Sequence, residues 1–263
     1  MLKLEKVCAG YDGQDVVHEV TTEFQPGRNY CLLGPNGCGK TTLLRAMAGL
    51  IPHKGRIDLD GQDIARMKRR DLATRIAVMS QINNVYFSYT VYDTVMLGRY
   101  QHMKGRLFGH PSGEDRDVVE RCLASTGLLD FKNRQIDELS GGQRQRVFLA
   151  HALAQDPEII LLDEPTNHLD VRHQVELIDY LHNWTSDGKH SVIGVFHDVN
   201  LALRLTDNVL FMHEGRVVRQ GGFRTIADAE FLRSVYGMDL AAFMCQSLSN
   251  WTSLRRTMSG DNC

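Results

Sequence analysis

The stretch Gly34-Pro35-Asn36-Gly37-Cys38-Gly39-Lys40-Thr41 constrains this chain more than any other, since it fits the pattern G-x-x-x-x-G-K-[ST]. Such a loop works between a strand and a helix, and both are predicted. The apolar run Tyr30-Cys31-Leu32-Leu33 precedes it as a strand, and Thr41 to Leu50 has helical spacing. Glycines let consecutive backbone N–H groups turn toward one anion, and the following helix N-terminus adds its dipole. Lys40 brings a positive charge, and the Thr41 hydroxyl is placed to ligate magnesium. The loop predicts a phosphate site on an α/β framework.

Around it the chain reads as one composite domain. Alternation in Leu2-Lys3-Leu4 and turns at Tyr11-Asp12-Gly13 and Pro26-Gly27 mark short strands through residue 33. Two more are expected near Arg56–Leu59 and Ile76–Met79, separated by a basic helix near Ile64–Ala73. From about Asn83 to Ala154 strand signals fade. There Glu114–Ser125 and Gln143–Ala154 carry apolar residues at three- and four-residue spacing, which predicts a helical subdomain inserted into the sheet. The apolar runs Ile159–Leu162 and Ser191–Phe196 suit strands buried on both faces, hence parallel architecture. Beyond Gly222 a helical stretch is expected to about Tyr236. The polar residues Gln246–Cys263 predict a weakly ordered tail.

Asp163 and Glu164 close the first of those buried strands, at the carboxyl edge where ligands bind in such sheets. Asp163 suits a direct or water-mediated magnesium contact, and Glu164 suits polarising a water that attacks a γ-phosphate. Leu139-Ser140-Gly141-Gly142-Gln143 opens the helix that ends at Ala154. A serine with two glycines at a helix N-terminus makes a second anion-binding nest. Two phosphate-seeking helix ends exceed what one γ-phosphate needs within one subunit. A head-to-tail pair of chains resolves the excess.

These motifs, in this order, resemble the nucleotide-binding domain of ATP-binding-cassette proteins over roughly Leu2 to Gly222. In that resemblance Gly34 to Thr42 (Gly34, Pro35, Asn36, Gly37, Cys38, Gly39, Lys40, Thr41 and Thr42) is Walker A. Leu139–Gln143 is the signature, with Ser140, Gly141, Gly142 and Gln143 on nucleotide, and Ile159–Glu164 is Walker B. The resemblance implies that Tyr11 stacks on adenine and that Gln81 forms the Q-loop contact to magnesium and a permease. Leu169-Asp170 becomes the D-loop, and His197 the histidine on the γ-phosphate. Catalysis falls to Lys40, Glu164 and His197, and the metal to Thr41, Gln81 and Asp163. The fold implied is α/β: a P-loop NTPase core with a mainly parallel central sheet, an N-terminal antiparallel β subdomain and an inserted helical signature subdomain. The nucleotide-binding domain would span residues 1–240, with the helical part at about 84–155, and residues 241–263 would form the polar tail. The implied cofactors are ATP and Mg2+. The implied partners are a second copy in a head-to-tail ATP sandwich, integral membrane permease subunits and, indirectly, a substrate-binding protein. The place is the cytoplasmic face of the cell membrane, as a peripheral subunit.

Within that family Asp163-Glu-Pro-Thr-Asn-His-Leu-Asp170, His197-Asp-Val-Asn-Leu-Ala202 and Thr94-Val-Met-Leu-Gly-Arg-Tyr100 look like the ATPases of iron-siderophore, haem and vitamin B12 importers. The alternative is a cassette ATPase with no transport role, such as an iron–sulfur-assembly subunit. A lone P-loop GTPase or kinase would have no use for Leu139–Gln143. Nucleic acid is not expected as a partner: 30 Lys and Arg stand against 32 Asp and Glu, for a formal charge of −2. No apolar run approaches the ~20 residues that span a bilayer, and Met1-Leu-Lys-Leu-Glu-Lys lacks a signal-peptide stretch. Six scattered cysteines read as reduced thiols. His168, His173 and His182 lack zinc-pair spacing and read as solvated, as does the basic cluster Arg66–Arg70. Cys38 occupies a loop position where the family often has serine or alanine. Lys40 and the helix N-terminus are expected to lower its thiol pKa, so that alkylation inhibits and ATP protects.

Overall fold

The computed structural model of the protein describes residues 1–79, 89–103, 111–167 and 169–258. Strands β1 (Leu2–Tyr11) and β2 (Gln14–Phe24) pair antiparallel about the Asp12-Gly13 turn. A bulge at Lys6, with φ of 47°, moves the buried face from Leu2 and Leu4 to Val7 and Ala9. Strand β3 (Tyr30–Leu33) leads through the glycine loop into helix α1 (Lys40–Met47). Strands β4 (His53–Leu59) and β5 (Gln62–Asp63) complete a four-stranded sheet in the order β2-β1-β4-β5. A 3-10 turn (Ile64–Arg66) and helix α2 (Arg69–Arg75) precede strand β6 (Ile76–Met79). Helices α3 (Val91–Leu97), α4 (Gly113–Ser125) and α5 (Gly141–Ala154) follow. Then come β7 (Ile159–Asp163), α6 (Val171–Trp184), β8 (Ser191–Val195) and α7 (Val199–Leu205). The hairpin β9 (Asn208–His213) and β10 (Arg216–Gly222) precedes helices α8 (Phe223–Ile226), α9 (Ala229–Tyr236) and α10 (Leu240–Met258).

The second sheet runs β10-β9-β3-β8-β7-β6 and is parallel at every pairing except β10 with β9. Every residue of β3, β7 and β8 is buried, which is why these strands read as unbroken apolar runs. Alternate side chains feed two cores. Leu32, Leu161, Ile193 and Leu210 meet α1 and the antiparallel sheet, while Leu33, Ile160, Leu162 and Phe211 meet α5, α6, α7 and α9. The expected α/β architecture with its antiparallel N-terminal part is present.

A third core joins α3, α4 and α5. Helix α5 serves two of the three: Val147, Ala150 and Ala154 face the helical layer, and Leu149, Ala152 and Leu153 face the sheet. Arg99, buried at the end of α3, donates from Nη1 to the Ala154 carbonyl at 2.8 Å and from Nε to Asp115 Oδ1 at 3.1 Å. Burial alone would raise the Asp115 carboxyl. The Ser112 hydroxyl and amide and the Arg99 guanidinium outweigh it and hold that carboxyl below its ordinary range.

The polar tail departs from expectation, because Leu240–Met258 is one helix. Leu240 and Ala241 pack on the core, and the hydroxyls return to carbonyls one turn back: Ser247 to Phe243 at 3.0 Å, Thr252 to Leu248 at 2.7 Å. Polar composition there is satisfied within the helix rather than by disorder. Among the described residues no helix is long and apolar enough to cross a membrane. Cys8, Cys31, Cys38, Cys122 and Cys245 are free thiols; Cys263 lies outside the described residues.

Candidate active site

Sheet register assembles the site. Leu32 of β3 and Asp163 of β7 both pair with Val195 of β8, so the three strands end side by side. The chain leaving each strand delivers Gly34, Glu164 and His197 to one carboxyl edge.

The loop after β3 turns on Gly34, Gly37 and Gly39, with φ of 145°, 78° and 98°. A Cβ on Gly34 would lie 2.1 Å from the Met212 carbonyl oxygen, so no side chain fits. Lys40, only 5 % exposed, donates from Nζ to the Gly34 and Pro35 carbonyls, both at 2.8 Å. Among the described residues no carboxylate pairs with it. A buried ammonium held by two carbonyls and the Cys38 sulfur, with no counter-charge and at a helix N-terminus, is a receptor for an anion. Thr41 Oγ1 donates to Asp163 Oδ1 at 2.6 Å, and Asp163 is buried. Two hard oxygens beside a phosphate receptor fit Mg2+.

Glu164 has φ of 54°, and its amide donates to the Val195 carbonyl at 3.2 Å. Its Oε1 accepts from His197 Nε2 at 2.7 Å, and its Oε2 from Asn167 Nδ2 at 2.5 Å. A cleft of about 610 Å³ opens over these groups. Lys40, Thr41, Thr42, Glu164 and His197 line it, with Asn36, Gly37 and Gly39 of the loop. Tyr11, at the end of β1 and 41 % exposed, forms one wall, and its hydroxyl accepts from Arg45 Nη1 at 3.2 Å. Two lining residues, Val16 and Asn167, escape sequence reasoning. Asn167 sits inside the Asp163–Asp170 motif, which is the signal that could have found it.

Other expected residues lie elsewhere. Gln81 and His168 are outside the described residues. Ser140, Gly141, Gly142 and Gln143 form the N-terminus of α5 and do not line the cleft of their own chain. Ser140 and Gln143 cap that helix reciprocally: the hydroxyl accepts from the Gln143 amide at 3.3 Å, and Gln143 Oε1 from the Ser140 amide at 3.0 Å. The amides of Gly141 and Gly142 point out of the helix end without an intrahelical acceptor. Asp170 caps α6, outside the cleft. His173 is not simply solvated, because its Nδ1 donates to Asp170 Oδ2 at 2.8 Å. His182 is exposed, and among the described residues no cluster of His, Cys, Asp and Glu is arranged for a metal. Cys38 corrects the expectation of a low thiol pKa. The thiol is buried in the core above α1, 3.8 Å from Lys40 Nζ, and burial raises its pKa against the pull of the ammonium.

The sequence from residue 17 to residue 167 matches the family model described as ABC transporter, which is more than half of the chain. The chain belongs to the ABC transporter family. Its relatives include the iron(3+)-hydroxamate import ATP-binding protein FhuC of Bacillus subtilis, 35% identical over 239 residues that cover 90% of this chain and 88% of that one. The ferric enterobactin transport ATP-binding protein FepC of Escherichia coli is 36% identical over 238 residues, 90% of this chain and 87% of its own. Among solved structures, a dimeric ATP-binding cassette in a post-hydrolysis state with ADP and Pi superposes with a TM-score of 0.74 at 28% identity. That match covers 85% of this chain and 99% of the other. This ABC chain is an ATPase, and the glycine loop, Glu164 at the strand end and His197 line one cleft.

Proposed function

We propose that the chain is the ATP-hydrolysing subunit of an importer. In this reading two copies work head to tail beneath integral membrane permease subunits, on the cytoplasmic face, with an iron chelate as cargo. The names of FhuC and FepC describe iron(3+)-hydroxamate import and ferric enterobactin transport, at about nine-tenths coverage of both chains. A substrate-binding protein would then hand cargo to the permease. Residues 1–240 serve as the nucleotide-binding unit, with the helical insert at about 84–155 carrying the signature.

One observation carries the paired arrangement: the signature end of α5 lies outside the cleft that holds Lys40, Glu164 and His197. Its outward amides can take an anion from another molecule, and the nucleotide held by a second copy supplies one. Lys40 and the loop amides bind the β- and γ-phosphates, Tyr11 packs against the base, and Ser140, Gly142 and Gln143 close on the γ-phosphate from the partner side. Thr41 and Asp163 would hold Mg2+, with Gln81 as a further ligand; when bound, the ion neutralises charge building on the phosphate oxygens. Glu164 orients the attacking water and takes its proton. His197 holds Glu164 in place and reaches the γ-phosphate. Once phosphate leaves, the charge that both halves shared is gone and the pair opens.

Ser140→Arg tests this reading. A bulky cation on the signature should lower ATPase by roughly 10²-fold or more, as for losing transition-state donors, while nucleotide still binds the cleft of the isolated chain. Unchanged ATPase in that variant contradicts the paired site.

A further inference from the structure

In the paired reading the signature turn and the segment after Glu164 serve two different nucleotides, yet within one chain they are bonded to each other. Gln145 of α5 donates from Nε2 to the Pro165 carbonyl at 2.6 Å. Gln174 of α6 donates from Nε2 to the Thr166 carbonyl at 3.1 Å. His173 joins the remaining two pieces. Its backbone N–H donates to Asp170 Oδ1 at 2.9 Å and its Nδ1 to Oδ2 at 2.8 Å. Its ring covers Gly142 so closely that a Cβ there would stand 3.2 Å from Nδ1 and 3.3 Å from Cγ. A carboxylate only accepts hydrogen bonds, so the Nδ1 position carries a proton in this contact. The imidazole side chain is 29% exposed although it sits on a surface helix, and the Asp170 side chain beside it is 65% exposed. The backbone N–H holds Oδ1 as the helix cap whatever the side chain, so the ring contributes the hold on Oδ2 and the contact with Gly142.

We propose that His173 is a positioning residue for the ATPase reaction. Its imidazole clamps the Asp170 carboxylate to the Gly142 turn, so that the signature facing the partner's nucleotide and this chain's own Glu164 segment move as one body. Engagement of the signature by the partner's ATP then reaches Glu164 through a rigid contact in the same chain, with Gln145 and Gln174 bracing the Pro165-Thr166 link. The inference rests on the head-to-tail reading above.

The test uses the full chain carrying Glu164→Gln, with dimerisation on MgATP followed by light scattering. A chain that stays monomeric at saturating MgATP removes the paired reading, and this inference with it. If it dimerises, His173→Ala should weaken the dimer roughly tenfold, with nucleotide binding to the monomer changed by less than about twofold. His173→Asn, whose amide nitrogen overlays Nδ1 and still donates to Asp170, should restore dimer affinity to within about threefold. Equal dimer affinity for the Ala variant and its parent overturns the proposal. So does an Ala variant that loses cleft binding as much as dimerisation, or an Asn variant no better than Ala, since either outcome describes a merely structural side chain.

Discussion

Replacing Glu164 with glutamine separates chemistry from architecture more cleanly than any other substitution in this cleft. Size and backbone demand are conserved, including the positive φ of 54°. The glutamine carbonyl can still accept from His197, and an amide flip of Asn167 keeps the second contact. The structural cost follows from exposure: the Glu164 and His197 side chains are 24% and 36% exposed. A pair so open to solvent contributes about 1 kcal/mol at most. For a chain of this length that moves Tm by roughly 2–4 °C. The chemical cost is larger, because a positioned general base is worth about 10²–10⁴-fold in turnover. That is about 3–5 kcal/mol of barrier, several times the stability term. Phosphate release at saturating MgATP should therefore fall by at least about two decades, with the melting curve nearly superimposed on that of the wild type. Retained ATP binding should show as a dimer on gel filtration with MgATP. Turnover within about threefold of the wild type would remove Glu164 from the base role, whatever its contacts.

Further expectations concern the loop and the signature helix. Cys38 should react with a small alkylating agent at pH 8 more slowly than exposed Cys245, because burial raises the Cys38 thiol and hides it; mass spectrometry of labelled peptides decides, and faster labelling of Cys38 would contradict the buried placement. Gly34→Ala forces a Cβ to 2.1 Å from the Met212 carbonyl at φ 145°. It should cost about 1–3 kcal/mol from backbone strain alone, read as a lower denaturant midpoint, and an unchanged midpoint would deny the strain. His151 of α5 is half-buried with its Nδ1 2.9 Å from the Thr94 carbonyl, and desolvation lowers its pKa below the ordinary 6.5 despite that carbonyl. Below pH 6.5 the unfolded chain takes up a proton that the folded ring refuses, so stability is present above that pH and drains away as pH falls toward the depressed value. Tm measured from pH 7.5 down to 5.5 should fall less steeply in His151→Gln than in the wild type, and equal slopes would reject the lowered pKa of this imidazole.

Much of the candidate site was legible because each motif is contiguous. The loop's glycines, Lys40 and Thr41 lie within one turn of chain, and so do Asp163 and Glu164. Local spacing suffices when the chemistry needs only neighbours. Elements with weak local signals were not legible. Strand β10 is an edge strand with mostly exposed residues, and α6 buries only Leu177, Ile178 and Leu181. The tail helix was misread because Ser247 and Thr252 satisfy their hydroxyls within the helix, which composition cannot register.

What the sequence determined by itself is the set of groups: a phosphate loop, a carboxylate pair at a strand end, a second nest on a helix and the family to which they belong. What only the tertiary structure decided is which groups meet. Thr41 reaches Asp163, and Glu164 reaches His197, because the parallel register of β3, β8 and β7 aligns three strand ends that are far apart in the chain. Cys38 has a cationic neighbour in the sequence, but core packing overrules that neighbour and buries the thiol. The physical reason is the same in each case: hydrogen bonds and charges act over a few ångströms, and only the folded sheet sets those distances.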